Sequence, residues 1–232
     1  MELRRREVWR YLGYHGTTPQ AAEQQKIEMV LAQMEKAVTP RHIYLEKSCS
    51  VDGDGVEIEG IRFSSALLAR NLAGCERVIL MAATLGAEAD LQVRRYQARS
   101  MAEAAIAQAV CAELLECYLD DVCGKIAQEK AENGLFLRPR YSPGYGDLAL
   151  EAQRDFFALL DCRRRLGVSL TEGNMMTPTK SVTAFIGLAH TCRKGEKSGC
   201  RACSKQDCAF RNWESYHGEE FAGKAGKAAV IF

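Results

Sequence analysis

Arg138-Pro139-Arg140-Tyr141-Ser142-Pro143-Gly144-Tyr145-Gly146-Asp147 packs two prolines, two glycines, two tyrosines and two arginines between helix-forming stretches. The two prolines fix φ near about −65° and push Arg138 and Ser142 out of the α region, while Gly144 and Gly146 admit positive φ or close backbone approach. The stretch predicts a stiff, extended, kinked loop. Its backbone N–H and C=O groups lie outside any helix or ladder and must find partners, a bound ligand among the candidates. It also separates a helical run before it from a helix and two strands after it, which already argues for a mixed rather than an all-helical chain.

Upstream, residues 87–132 are almost all helix-forming, with a break near 98–101. The second half carries an apolar stripe of Ile106, Val110, Leu114, Cys117 and Tyr118, with Glu113, Glu116, Asp120 and Asp121 on the other side. Before that, Arg77 to Ala83 reads as a buried strand leading into the turn Thr84-Leu85-Gly86, and Ser64 to Leu72 as a short helix capped by Ser64. His42 to Val51 and Val56 to Glu59 form a β-hairpin across Asp52-Gly53-Asp54-Gly55. That turn lacks the later bidentate Glu of a calcium loop. Thr18-Pro19 opens a helix to Lys36, with Pro19 at its first position and Ile27, Val30, Leu31 and Met34 on one face. Met1 to Tyr14 reads as a first helix bearing Val8, Trp9 and Leu12 and closed by Gly13 and Gly16, its Arg4-Arg5-Arg6 a solvated start.

Downstream of the loop, Asp147 is placed to cap a helix from Leu148 to about Leu166, anchored by Phe156, Phe157, Leu159 and Leu160 and stopped by Gly167. Ser169 to Met175 and Ser181 to Ala189 then read as strands around Met176-Thr177-Pro178-Thr179. The expected fold is α+β, a mixed or antiparallel twisted sheet with flanking helices. Residues 1–190 are expected to form one domain and 191–232 a cysteine-rich appendage.

The 232 residues are 47% hydrophobic and 26% charged, the composition of a soluble globular protein. Thirty-one basic against thirty acidic residues leave a net charge of +1, which gives no electrostatic grip on nucleic acid or anionic lipid. Met1 to Gly16 has no apolar leader core, and no apolar run approaches the roughly 20 residues of a membrane span, so no membrane partner and a cytoplasmic location are expected. In that compartment the ten cysteines are thiols or metal ligands rather than disulfides. Cys192, Cys200, Cys203 and Cys208 are spaced C-x7-C-x2-C-x4-C, and the C-x2-C step lets two thiolates reach one metal. The set suits tetrahedral zinc or an iron–sulfur cluster, with His190 an alternative ligand to Cys192; free or redox-paired thiols are the third reading. Cys49, Cys75, Cys111, Cys117, Cys123 and Cys162 lie on apolar faces and read as small core residues. The chain has no dinucleotide fingerprint, P-loop, Gly-x-Ser-x-Gly elbow or Asp-x-His-x-x-Gly cobalamin element.

The core Arg140, Pro143, Gly144, Tyr145, followed by a helix, Leu170-Thr171-Glu172, Met176-x-Pro178 and Ser181-Val182, resembles the activation domain of cobalamin-dependent methionine synthase. Ala112-Glu113-Leu114-Leu115-Glu116-Cys117-Tyr118-Leu119 resembles the acidic helix of that family, with Glu113 the better match and Glu116 its competitor; Glu132 is a further acidic candidate. The resemblance implies a domain that binds S-adenosylmethionine (AdoMet). Arg140 would hold its carboxylate in a bidentate fork, and the backbone at Ser142, Gly144 and Tyr145 would wall the methionine and adenosine. Glu113 would face the cationic end.

The resemblance further implies a stand-alone component of a methyltransferase activity with no catalytic acid or base of its own. It would support reductive remethylation of cob(II)alamin on a partner, a cobalamin-dependent methionine synthase lacking its own activation module. The electron would come from a flavodoxin- or ferredoxin-like reductant. Two other readings stand beside it: a metal- or iron–sulfur-containing redox activator of a corrinoid protein, whose C-terminal cysteines carry the electron, and a docking protein without AdoMet binding. Two family positions have no counterpart here, an acid near the domain start and a tyrosine after the last strand, where Cys192 stands.

Overall fold

The computed structural model describes residues 3–14 and 17–191. The first helix, α1, spans Arg5–Tyr11, and α2 spans Ala21–Ala37. α2 begins two residues later than the Thr18-Pro19 pair predicts. Gln20 is its N-cap and exchanges a reciprocal capping box with Glu23, leaving Pro19 just outside. Its predicted face, Ile27, Val30, Leu31 and Met34, is buried.

β1 (Arg41–Asp52) and β2 (Gly55–Ile58) make the expected hairpin, and a third strand, β3 (Ile61–Ser64), continues it. Ser64 therefore belongs to a strand. The helix that follows, α3 (Ala66–Asn71), is capped by Ser65, whose side chain accepts from Leu68 N. β4 (Arg77–Thr84) leads into α4 (Ala87–Gln97) and α5 (Met101–Ala131), split where the sequence places a break.

After α5 come β5 (Phe136–Leu137), α6 (Ala152–Leu160), α7 (Cys162–Leu166), β6 (Ser169–Leu170), β7 (Met176–Thr177) and β8 (Ser181–Ala189). The single helix expected from Leu148 is thus two short ones, because Asp161 adopts a left-handed conformation, φ 50°, between them. The strand expected over 169–175 is mostly turn. Thr171 to Asn174 reverse the chain, and Met176-Thr177, read as a connector, pairs with Ser169-Leu170.

The six-stranded sheet has the order β3-β2-β1-β4-β8-β5 and every pairing is antiparallel. β4 and β8 are buried almost end to end because helices cover both faces. Strand alternation sorts their side chains. Ile79, Met81, Ala83, Val182, Ala184, Ile186 and Leu188 face a layer made of α1, α2, α4 and α5. Val78, Leu80, Ala82, Phe185 and Ala189 face α3, α6, α7 and the strands β2 and β3. Gly187 is required in β8: a Cβ there would lie 2.7 Å from Cys75 Sγ and from Leu72 Cδ2. No described helix is long and apolar enough to cross a membrane.

Candidate functional site

Residues 138–147 run beside β8 rather than standing free. Arg138 N donates to Gly187 O at 2.8 Å, Tyr141 exchanges both backbone bonds with Phe185, and Ser142 Oγ donates to Thr183 O at 2.7 Å. Pro139 breaks the ladder between them, as its missing N–H demands. Beyond Pro143 the chain turns. Gly144 and Gly146 have φ of 82° and 60°, and a Cβ on Gly146 would lie 2.6 Å from the Tyr141 hydroxyl. The kinks are as expected, but the backbone groups are largely engaged: Gly144 N donates to Leu148 O and Tyr145 N to Ser142 O.

Asp147 does not cap the helix after it. Its carboxylate accepts from Ser65 Oγ and from Leu67 N at 3.2 Å, so it secures the start of α3 instead. Burial works to raise its pKa, but the bonds from Ser65 and from the α3 backbone outweigh this and hold it below the usual carboxylate value. Tyr141 OH donates to Tyr145 O at 3.1 Å, and the two tyrosine rings meet edge to face at 5.4 Å.

Alternation along the loop sends Tyr141 toward Phe185 and α3, and Arg140 to the opposite side, against α5. Arg140 is closed in. Its side chain is 1% exposed; Nη2 donates to Glu116 Oε2 at 2.8 Å and Nη1 to Asp120 Oδ1 at 3.0 Å. Burial pulls its pKa down, yet Glu116 and the other groups around it more than restore it, so the guanidinium is charged. Its Nε has no hydrogen-bond partner among the described residues.

Glu113 and Glu116, placed by sequence on the polar side of the helix as candidates for the cationic end of the ligand, are buried. They belong with Arg140, Asp120 and Arg4 in one network. Arg4 Nε donates to Glu113 Oε1 at 2.5 Å and its Nη1 to Asp120 Oδ2 at 2.9 Å, so Asp120 bridges the two arginines. Cys117 Sγ donates to Glu113 Oε1 at 3.1 Å; burial first and the Glu113 charge second push this thiol up to about 12. Glu7, buried on α1, accepts two bonds from Arg10, whose guanidinium lies 4.4 Å from the Tyr11 ring centre. Burial and then the Glu116 charge hold the Tyr11 hydroxyl well above its normal pKa.

The structure therefore brings Arg140, Glu113 and Glu116 together and sets Tyr145 and Gly146 in a second group with Tyr141 and Leu67, on the other side of the strand edge, with Gly144 beside them against Leu150. Ser142 ties the loop to β8 between them. Glu132 is exposed at the end of α5 and takes no part. Two surface recesses, of about 500 and 300 Å³, lie elsewhere; the first is lined by Lys130, His190 and Thr191, the second by His42, Tyr44 and Tyr118.

Glu7 and Tyr11 were not singled out by sequence, Asp120 was read only as part of a polar helix side, and Arg4, expected in a solvated helix start, is instead ion-paired to Glu113 and Asp120. One signal was present. Three consecutive arginines at the positive end of a helix dipole each cost about 0.3–1 kcal/mol, an arrangement that calls for partners elsewhere in the fold. Cys192, Cys200, Cys203 and Cys208 lie outside the described residues, and among the described residues no group of three or more His, Cys, Asp or Glu is placed to hold a metal. Of the other six cysteines five are buried and Cys49 is half-buried, as expected for core thiols.

The sequence model for the family described as vitamin B12 dependent methionine synthase, activation domain, matches residues 74–194, which run from the turn before β4 past the end of β8. Among solved structures, a crystal structure of the MetH reactivation domain bound to AdoHcy matches with a TM-score of 0.59 at 17% identity, over 78% of this chain and 74% of that one. No curated protein matches. The shared fold is the α+β arrangement of antiparallel sheet and flanking helices described above. With the family match covering more than half its length, the chain belongs to the vitamin B12-dependent methionine synthase activation domain family.

Proposed function

We propose that the chain binds AdoMet at the Arg140 end of the loop and serves as a separate reactivation component for a cobalamin-bearing methionine synthase. The observation that carries the reading is Arg140 itself. It stands at the position of the family's Arg-x-x-Pro-Gly-Tyr core, buried and charged, with Nε lacking a partner among the described residues. A ligand carboxylate is the acceptor such a donor lacks, and a charge-assisted bond of that kind contributes about 1.5–3 kcal/mol. Glu113, Glu116 and Asp120 beside it suit the ammonium and sulfonium of the same ligand.

The chain's own residues would bind and orient; AdoMet would supply the methyl group. Ser142 would flank the methionine end, and Gly144 and Tyr145, across the strand edge from Arg140, would wall the adenosine end. Tyr145 is the exposed member of that group. The partner would be a methionine synthase that brings its own cobalamin, with an electron from a flavodoxin- or ferredoxin-like protein. The cysteines at 192, 200, 203 and 208 would hold zinc or an iron–sulfur cluster in residues 191–232, outside this binding role.

Calorimetric titration with AdoMet tests the reading. Wild type is expected to bind, and Arg140→Lys, which keeps the charge but loses the fork, is expected to bind about tenfold more weakly when titrated at a temperature where it is fully folded. Equal affinity would remove Arg140 from the site. The closed ion pairs of Arg140 favour a second reading, a docking protein without AdoMet binding. A flat titration of wild type, together with sustained turnover of a methionine synthase partner when the chain is added, would select it.

A further inference from the structure

We infer that α1 is a displaceable strap over this site, and that the Arg4 guanidinium occupies the carboxylates which the cationic end of AdoMet would take. The inference rests on the proposed AdoMet reading and adds its regulation. Exposure fixes the order of access. Arg4 is 27% exposed and Asp120 22%, whereas Glu113, Glu116 and Arg140 are between 0 and 2%. A ligand reaching the inner three from that side meets Arg4 and Asp120 first.

The Arg4 side chain makes its hydrogen bonds to this network. The residue stands at the N-cap of α1, makes no side-chain capping bond, and is followed by Arg5 and Arg6, all at the end of the helix where a cation is least favoured. Its side chain is therefore placed by Glu113 and Asp120, while its carbonyl accepts from Glu7 N and Val8 N at the start of α1. The seat is imperfect, because Arg4 Nη2 is buried without a hydrogen-bond partner among the described residues. α1 is seven residues long, and Val8 is its one fully buried apolar side chain. It leaves through Gly13 at φ 90°, with open space around the missing Cβ, a joint about which the helix can swing.

The two cations cannot share the same oxygens. Glu113 Oε1 and Asp120 Oδ2 are taken by Arg4, and Asp120 Oδ1 by Arg140. An incoming ammonium or sulfonium must displace Arg4, and its carboxylate then finds Arg140 from the side that α1 uncovers. The closed form thus lowers the apparent affinity by the fraction of molecules in which α1 is away.

Two variants of the full chain loosen the strap in different ways. Arg4→Gln removes the competing cation, and Trp9→Ala weakens the packing of α1 while leaving every charge in place. Both are expected to bind AdoMet more tightly than wild type by calorimetry, roughly tenfold if the open form is about one-tenth populated. Hydrogen exchange at the amides of residues 5–11 is expected to speed up when AdoMet is added to wild type. Equal or weaker binding in both variants, with wild type binding normally, overturns the strap and leaves the AdoMet reading intact. Absence of binding in wild type and in both variants overturns the two together.

Discussion

Arg140 shows what a single residue can and cannot tell from sequence. Its position in the loop was legible, because an arginine three residues before Pro-Gly-Tyr is a specific pattern. Its company was not, since Glu116 and Asp120 lie 24 and 20 residues away and only the helix brings them back. A buried ion network has an asymmetric energetics: removing one member is far worse than removing a matched pair. Arg140→Met is expected to lower unfolding free energy by about 3 kcal/mol, the lower end for such a loss, because Asp120 retains Arg4. Adding Glu116→Leu in the same chain is expected to restore most of that. Chemical denaturation of the single and double variants checks it, and a double variant less stable than Arg140→Met would show that Glu116 is secured by other groups.

At the scale of elements, periodicity located most helices and strands and failed where a side chain serves a distant neighbour. The faces of α2 and β4 read correctly because each follows a clean repeat. α5 read correctly in extent but not in exposure: Glu113 and Glu116 sit on what looks like a polar face, and α1 covers it. Asp147 precedes a helix-forming run and so looks like its cap, yet its oxygens go to Ser65 and Leu67, 82 and 80 residues earlier. Asp147 thereby clamps the far end of the loop to α3. Its native pKa is depressed, so the native state binds the proton less readily than the unfolded chain. The stability it contributes is present in full above the unfolded pKa of about 3.9 and is lost as pH falls through the lower native value. Asp147→Asn is expected to melt earlier than wild type at pH 7, with the gap closing in acid below that window. A gap that persists unchanged at pH 2 would mean that the charge plays no part.

The whole molecule is built on two strands that serve two layers at once. In β4, Ile79 and Met81 pack against the α1, α2, α4 and α5 layer while Val78 and Leu80 pack against α3, α6 and α7, and β8 repeats the division. Neither layer can lose its strands without stripping the other. Cooperativity should therefore extend across the sheet, and damage on one side should be felt equally on the other. Phe156 offers the test, since it is fully buried against Phe185 at 4.9 Å on the α6 side, remote from α1. Phe156→Ala is expected to cost about 3–5 kcal/mol. The shift in urea midpoint should be the same by far-ultraviolet circular dichroism, which weights the long α5, as by exchange at the amides of α6. Two separated transitions, with α5 surviving to the wild-type midpoint, would show that the layers unfold as independent units despite sharing β4 and β8.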